Sequence, residues 1–398
     1  MTIAQINSVC GSGSTGKICV SLSQLLDQKG YNNTVYYSSG NSNHVNGVKY
    51  TSDLYIKTQA LRSRILGNYG FNSASITKDL IRRLKEQNAD IVHLHNLHGH
   101  NCDLSTLFSY LKENHIKVIW TFHDCWAFTA YCPHFTFVGC DKWKTECCDC
   151  HQYRAYSWLK DRSRYLYNKK KELFSGLDMT IVTPSVWLAD LVKQSFLKDY
   201  PVKVINNGID LSVFKPTDSD FRTRCGIPQS KNVILGVAFG WGKRKGLDVF
   251  VDLAKRLDGE NYQIVLVGTD SAVDKQLPDN IISIHRTQNQ TELAEIYTAA
   301  DLFVNPTREE NYPTVNMESI ACGTPVLTFR TGGSPEIVDE TCGCVVDCDD
   351  VDAMEREITR ICTERAYSKD DCILRARAFD KDERFKEYVE LYESLVHI

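Results

Sequence analysis

Apolar residues along this chain follow two rhythms: short unbroken runs, and longer stretches in which they recur every third or fourth position. Unbroken runs predict buried strands and the three-to-four spacing predicts helices with one buried face. Strands are expected at 3–9, 34–37, 89–96, 116–122 and 180–185, with helices at 18–26 and 75–88 among them. After a strand at 202–205 and a turn at Asn206-Asn207-Gly208, the rhythm restarts. Strands are then expected at 232–238, 262–268, 281–285, 300–304 and 326–328, with helices at 247–257 and 291–300 and a last amphipathic stretch at 384–395. Strands alternating with helices imply a parallel sheet covered on both faces, here twice over. Ligands of such sheets gather at the carboxyl ends of the strands. That edge receives His95 and Asn96 after one strand and His123 and Asp124 after the next.

Composition narrows the class. The chain has 398 residues, 42% apolar and 24% charged, enough for two domains of ordinary size. A net charge of −4 and a pI near 6.3 argue against a dedicated nucleic-acid binder. No apolar run is long enough to span a bilayer. The first residues enter a strand with no basic region or cleavage site, so no signal peptide is expected. Sixteen cysteines in so large a chain read as reduced thiols, and a cytoplasmic protein is expected.

Candidate chemistry concentrates in three places. The first is 308–325, where an apolar run leads into a loop and a short helix with Pro313 and Thr314 at its start. Glu310 falls on the loop and Glu318 on the helix's second turn, flanking a helix N-terminus whose free N–H groups and dipole favour an anion. Asn311 and Tyr312 complete the loop. The second is Lys243-Arg244-Lys245-Gly246, three cations opening a helix, a placement the dipole disfavours unless an anionic ligand offsets it. The third is the glycine loop, where Gly11, Gly13 and Gly16 match G-x-G-x-x-G and Gly11 to Lys17 matches G-x-x-x-x-G-K. Ile18 stands where the second template needs a magnesium-binding hydroxyl, and no ribose-binding acid follows for the first.

Two further stretches leave alternatives open. Cys132, Cys140, Cys147 and Cys150 end in a C-x2-C pair suited to a structural zinc ion, against a packed loop of reduced thiols. Residues 154–171 carry seven basic residues and one acid, with Tyr156, Trp158, Tyr165 and Tyr167 interleaved. They read as a basic amphipathic helix, either a solvated face with a buried stripe or a surface for anionic lipid.

The pair Glu310 and Glu318 followed by Ala321-Cys322-Gly323-Thr324-Pro325, the Asn207-Gly208-Ile209-Asp210 turn and Lys245-Gly246 resemble retaining glycosyltransferases of family 4. That resemblance implies an α/β protein of the GT-B type: two facing Rossmann-like domains with parallel sheets and an interdomain cleft. It implies an acceptor-side domain at 1–205 carrying the cysteine-rich insert 125–150, a nucleotide-sugar domain at 206–375, and a terminal helix at 376–398 packing back on the first. Glu310, Lys245, Arg244 and His123 would be catalytic. Glu318, Asn311, Tyr312, Pro313, Thr314, Arg286, Thr287, Gly11, Gly13 and Gly16 would bind the donor. Gly240 stands where the family has an arginine, which puts the second diphosphate cation on Lys243 or Arg244. The donor would be a UDP- or GDP-sugar and catalysis would need no metal cofactor. The acceptor would be a saccharide or a polyprenyl-pyrophosphate-linked saccharide of surface-polysaccharide synthesis, with a peripheral position on the inner face of the plasma membrane. The cysteine insert resembles one in the colanic-acid-type subgroup. The alternatives are a P-loop NTPase using Gly11 to Lys17 and a non-catalytic sugar-nucleotide-binding subunit.

Overall fold

The structure, a computed structural model, describes residues 1–396. The chain divides into two compact units, Met1–Ile205 with the segment from Phe385 onward, and Asn206–Arg384.

The first unit is built on seven strands: β1 (Thr2–Val9), β2 (Asn32–Ser39), β3 (Gly47–Lys49), β4 (Ile91–Leu94), β5 (Lys117–Thr121), β6 (Met179–Thr183) and β7 (Val202–Val204). They lie in the order β3-β2-β1-β4-β5-β6-β7 and every pairing is parallel. Successive side chains of a strand point to opposite faces, so neighbours in sequence enter different cores. Ala4, Val92, Val118 and Trp120 face one layer. Ile3, Ile91 and Ile119 face the other, where Leu22 and Leu26 of the helix Gly13–Gln28 meet Phe385, Tyr388 and Tyr392 of the C-terminal helix Lys381–Val396.

The second unit repeats the plan with β8 (Asn232–Val237), β9 (Tyr262–Val267), β10 (Ile281–Ile284), β11 (Leu302–Asn305), β12 (Val326–Phe329) and β13 (Gly343–Val346), in the order β10-β9-β8-β11-β12-β13, again all parallel. The order reverses between β8 and β11 here, and between β1 and β4 in the first unit. Adjacent loops diverge at such a point and leave a crevice at the carboxyl edge. The loops leaving β8 and β11 carry Lys245 and Glu310; those leaving β1 and β4 carry the glycine loop and the histidine-rich segment.

Residues 154–171 do not form one amphipathic helix. A short 3-10 turn at Tyr153–Ala155 and an irregular segment precede a helix that starts only at Ser163 and runs to Leu173. The basic residues of this stretch also divide. Lys170 is wholly buried, donating to the carbonyls of Trp126 (2.8 Å) and Thr129 (3.0 Å), with its ammonium 3.5 Å from the centre of the Trp126 ring. Tyr156 stacks on Tyr131, and the Tyr167 hydroxyl donates to the Trp143 carbonyl. Tyr167 and part of Tyr156 belong to the core, while Trp158 and Tyr165 are exposed, so the stretch presents no single buried stripe.

Candidate active site

In the second unit the two charged motifs meet. Lys245 Nζ lies 2.5 Å from Glu310 Oε2, each side chain about a fifth exposed. The backbone builds this approach. Gly246 has φ +76°, and a Cβ there would lie 2.4 Å from the Pro306 carbonyl oxygen, so only glycine lets the Lys243–Lys245 turn close against the segment after β11. Arg308 then fastens the two together. Its N–H donates to the Arg244 carbonyl (2.9 Å), and its guanidinium donates to the Lys243 carbonyl, to both Asp248 oxygens (2.8 and 3.0 Å) and to Asp349 (2.6 Å). A planar fork with five donors can hold so many acceptors at once. Arg244 itself presents its side chain to solvent.

Behind Glu310 the loop rests on the turn at 331–333. Gly332 has φ +54°, and a Cβ would lie 1.8 Å from the Glu310 carbonyl oxygen, while Gly333 donates its N–H to Asn311 (2.7 Å). Asn311, Tyr312 and Pro313 are buried and Thr314 is half-buried at the start of the helix Thr314–Ala321. Under that helix runs a buried chain of polar groups: Asn305 donates to Asn316, Asn316 to Ser334, and Ser334 shares a hydrogen bond with Thr328, each at 2.8 Å. Satisfied buried groups of this kind fix geometry, because each is costly to leave unpaired. Glu318, one turn on, accepts from the Tyr297 hydroxyl at 3.3 Å. Arg286 and Thr287 follow β10, Arg286 exposed and Thr287 half-buried.

The first unit gathers imidazoles instead. His93 bonds Tyr392 (2.6 Å) and Thr121 (2.8 Å), and His95 bonds Gln5 Oε1 (3.2 Å) and His123 Nε2 (3.1 Å). The Gln5 amide nitrogen donates to the Cys19 carbonyl, so its oxygen faces His95 as acceptor only. His95 therefore carries its proton on Nε2, and His123 must donate from Nε2 to His95 Nδ1. Burial pushes His93 down to about 3 and His123 down to about 4, so both are neutral at ordinary pH. His98 differs: burial opposes its charge, but Asp124, 2.8 Å away, outweighs that and raises it. Burial would likewise raise Asp124, yet His98 and the Trp126 N–H hold it down at about 2.

The glycine loop is short. The helix Gly13–Gln28 has begun before Lys17, which sits exposed in its second turn, while the Gly11 N–H closes onto the Gly16 carbonyl (3.0 Å). A phosphate-wrapping loop needs the lysine at the helix start, so the geometry departs from the NTPase alternative.

The cysteine insert departs from the zinc expectation. Among the described residues, no group of three or more His, Cys, Asp or Glu side chains comes together as a set able to hold a metal ion. Cys132 and Cys150 instead share a hydrogen bond that raises the first thiol and lowers the second, and burial pushes Cys147 up to about 12. Cys132 is buried in the aromatic cluster of Phe128, Phe135 and Trp143, with Cys140, Cys147 and Cys150 half-buried against it. These thiols are packing groups.

Residues 15–213 match the family model described as "Glycosyltransferase Family 4", and residues 231–364 match "Glycosyl transferases group 1". The chain belongs to glycosyltransferase family 4. It is therefore a transferase enzyme, and its two parallel sheets are those of the GT-B fold. It is similar to WcaC, a colanic acid biosynthesis glycosyl transferase of Escherichia coli strain K12, at 24% identity over 99% of this chain and 100% of that one. Among solved structures it resembles sucrose-phosphate synthase of Thermosynechococcus elongatus (TM-score 0.72, 18% identity, 99% of this chain and 98% of that one). It also resembles HepE of Anabaena in complex with UDP-glucose (TM-score 0.70, 13% identity, 99% and 100%).

Sequence reasoning did not single out Arg308, Asp248 or Gly332. Arg308 looks like one more surface cation beside two glutamates, and only the approach of the β8 and β11 loops reveals its acceptors. Gly332-Gly333 marks a turn, but not one lying against Glu310.

Proposed function

We propose that this family-4 enzyme transfers a glycosyl group from a nucleoside-diphosphate sugar, with retention at the anomeric carbon, to a saccharide or polyprenyl-pyrophosphate-linked saccharide of a surface polysaccharide. The observation that carries the reading is the 2.5 Å Lys245–Glu310 pair at the switch point of the second sheet, just ahead of the helix start at Thr314. With donor bound, Lys245 turns to the diphosphate, joined by Arg244 and the N–H groups after Pro313. These donors stabilise the charge that grows on the leaving group, the work a divalent cation does elsewhere. Glu310, released from the lysine, accepts from the sugar's hydroxyls, and Glu318 from those of the ribose. His123, neutral and held by His95, approaches a hydroxyl of the donor sugar. The glycine loop lets backbone approach the donor or acceptor, and a lipid-linked acceptor would keep the enzyme at the inner face of the plasma membrane. The match to a colanic acid biosynthesis protein supports the acceptor class, and the complex of HepE with UDP-glucose supports a UDP-linked donor.

Thermal unfolding in the presence of UDP, GDP and their sugars tests the donor, since a ligand that binds only the native state raises its apparent stability. A rise with UDP-sugars and none with GDP-sugars is expected. Transfer without added divalent ion, giving product with the donor's anomeric configuration, is the second expectation. No shift with any nucleotide sugar, or an inverted product, would overturn the reading.

A further inference from the structure

The helix Asp53–Leu66 is packed with its polar side inward. Gln59 and Ser63, four residues apart and so on one face, are its buried side chains, and Gly67 continues that line at the C-cap. The Gln59 side-chain oxygen and the Ser63 hydroxyl are buried with no hydrogen-bond partner among the described residues. Four large apolar residues lie outside, Leu54 at 72% exposed, Leu61 at 51%, Ile65 at 41% and Leu66 at 46%, while Tyr55, Ile56 and Ala60 are half-buried. A surface helix normally points its apolar stripe at the core. The sequence alone gives no sign of this inversion.

The segment after the cysteine insert extends the same surface. Trp158 and Leu159 are exposed, the Trp158 backbone N–H donates to the Arg64 carbonyl (2.7 Å), and the Arg64 guanidinium lies 5.9 Å from the indole centre. The exposed cations are Lys57, Arg62, Arg64 and Lys160. Asp53, the one acid of the helix, is tied to Lys49 at 3.0 Å, and Asp161 accepts from the N–H groups of Cys150 and Ser163. A locally basic apolar face on a chain of net charge −4 is a distinct region of the surface.

We propose that this face docks on an anionic lipid bilayer, the helix lying in the interfacial plane with Leu61, Ile65 and Trp158 at the acyl boundary and Arg62, Arg64 and Lys160 at the headgroup phosphates. Charge complementarity selects this occupant. A second copy of the chain would set the same cations against each other across a two-fold contact. Indole and guanidinium groups suit the polar–apolar boundary of a membrane, and a helix with one apolar and one basic flank binds there without crossing. No helix among the described residues is long and apolar enough to span a membrane, so attachment would be peripheral. The face is also connected to the imidazole cluster. Tyr69, just beyond the helix, donates its hydroxyl to the His98 carbonyl (2.6 Å), and His98 holds Asp124. The proposal rests on this surface alone and stands whether or not the donor reading does; a lipid-linked acceptor would give it a role.

Sedimentation of the full chain with vesicles of phosphatidylcholine, alone and mixed with phosphatidylglycerol, tests it. Binding to the mixed vesicles only, weakened by salt, is expected. Arg62→Glu with Arg64→Glu should lower binding by at least about fivefold per cation. Leu61→Ser with Ile65→Ser should do so too, while circular dichroism and turnover on a water-soluble acceptor stay at the parent's values. Should the serine variant fail to fold, Trp158→Ser serves as the apolar test. Absence of binding, equal binding to both vesicle types, or binding untouched by either class of variant would overturn the proposal. A dimer in solution that these substitutions dissociate would assign the face to a second copy instead.

Discussion

The two units place similar folds around opposite kinds of polar cluster. In the second, Lys245, Glu310 and Arg308 are partly buried and are positioned by ion pairs and two glycine-dependent approaches. In the first, His93 and His95 are buried and His123 is half-buried, all three held by hydrogen bonds and kept neutral. A partly exposed ion pair can exchange one partner for a ligand, whereas a neutral imidazole held by hydrogen bonds is fixed in one tautomer and one orientation. The first arrangement suits an incoming diphosphate; the second suits reading a hydroxyl with a preset donor or acceptor.

The sharpest test of this contrast removes the charges. Lys245→Ala and Glu310→Ala should each lower kcat by about 100- to 1,000-fold, the scale of losing one group aimed at transition-state charge, with unfolding transitions near the parent's. Unchanged turnover in both would remove the second unit's pair from the chemistry. A smaller effect should follow from Arg308→Lys. A lysine cannot serve Asp248, Asp349 and the Lys243 carbonyl together, so turnover should fall about tenfold by misplacing Lys245. Steady-state kinetics alongside the thermal midpoint would distinguish this from a loss of folding.

The smallest effect concerns pH and reports the first unit. His44, His93, His95, His100 and His123 all have folded values below the ordinary 6.5, chiefly through burial, so the unfolded chain binds more protons in that range. Stability is then full above about 6.5 and declines as pH falls through the interval toward about 4. His98, raised by Asp124, works the other way, its contribution present in acid and lost as pH rises through its folded value. Five groups against one predict a thermal midpoint lower by about 5 °C or more at pH 5 than at pH 7. Tryptophan fluorescence would read this, because Trp120, Trp126, Trp143, Trp158 and Trp187 are in the first unit and Trp241 alone is in the second. A flat profile would show that the imidazoles are not held neutral as described.

Much of the architecture was legible because it is written in local pattern. Runs such as Ile91-Val92-His93-Leu94 and Leu302-Phe303-Val304 read as buried strands, and glycines with positive φ punctuate the turns between elements. Gly47–Lys49 was too short to register, and Asp53–Leu66 escaped notice because its apolar residues do not mark its buried face. Cysteine spacing suggested zinc, but spacing says nothing of whether thiols converge on a point or pack among Phe128, Phe135 and Trp143.

By itself, then, the sequence determined the succession of strands and helices, their parallel assembly, and the residue types at the carboxyl edges, since these follow from periodicity and chain connectivity. Tertiary structure alone decided that Arg308 braces the loop bearing Glu310, that Lys170 lies under Trp126, that His93, His95 and His123 are kept neutral, and that Leu61 and Ile65 face outward. Each of these depends on what surrounds a side chain in space, and burial and partnership are set by segments tens to hundreds of residues away.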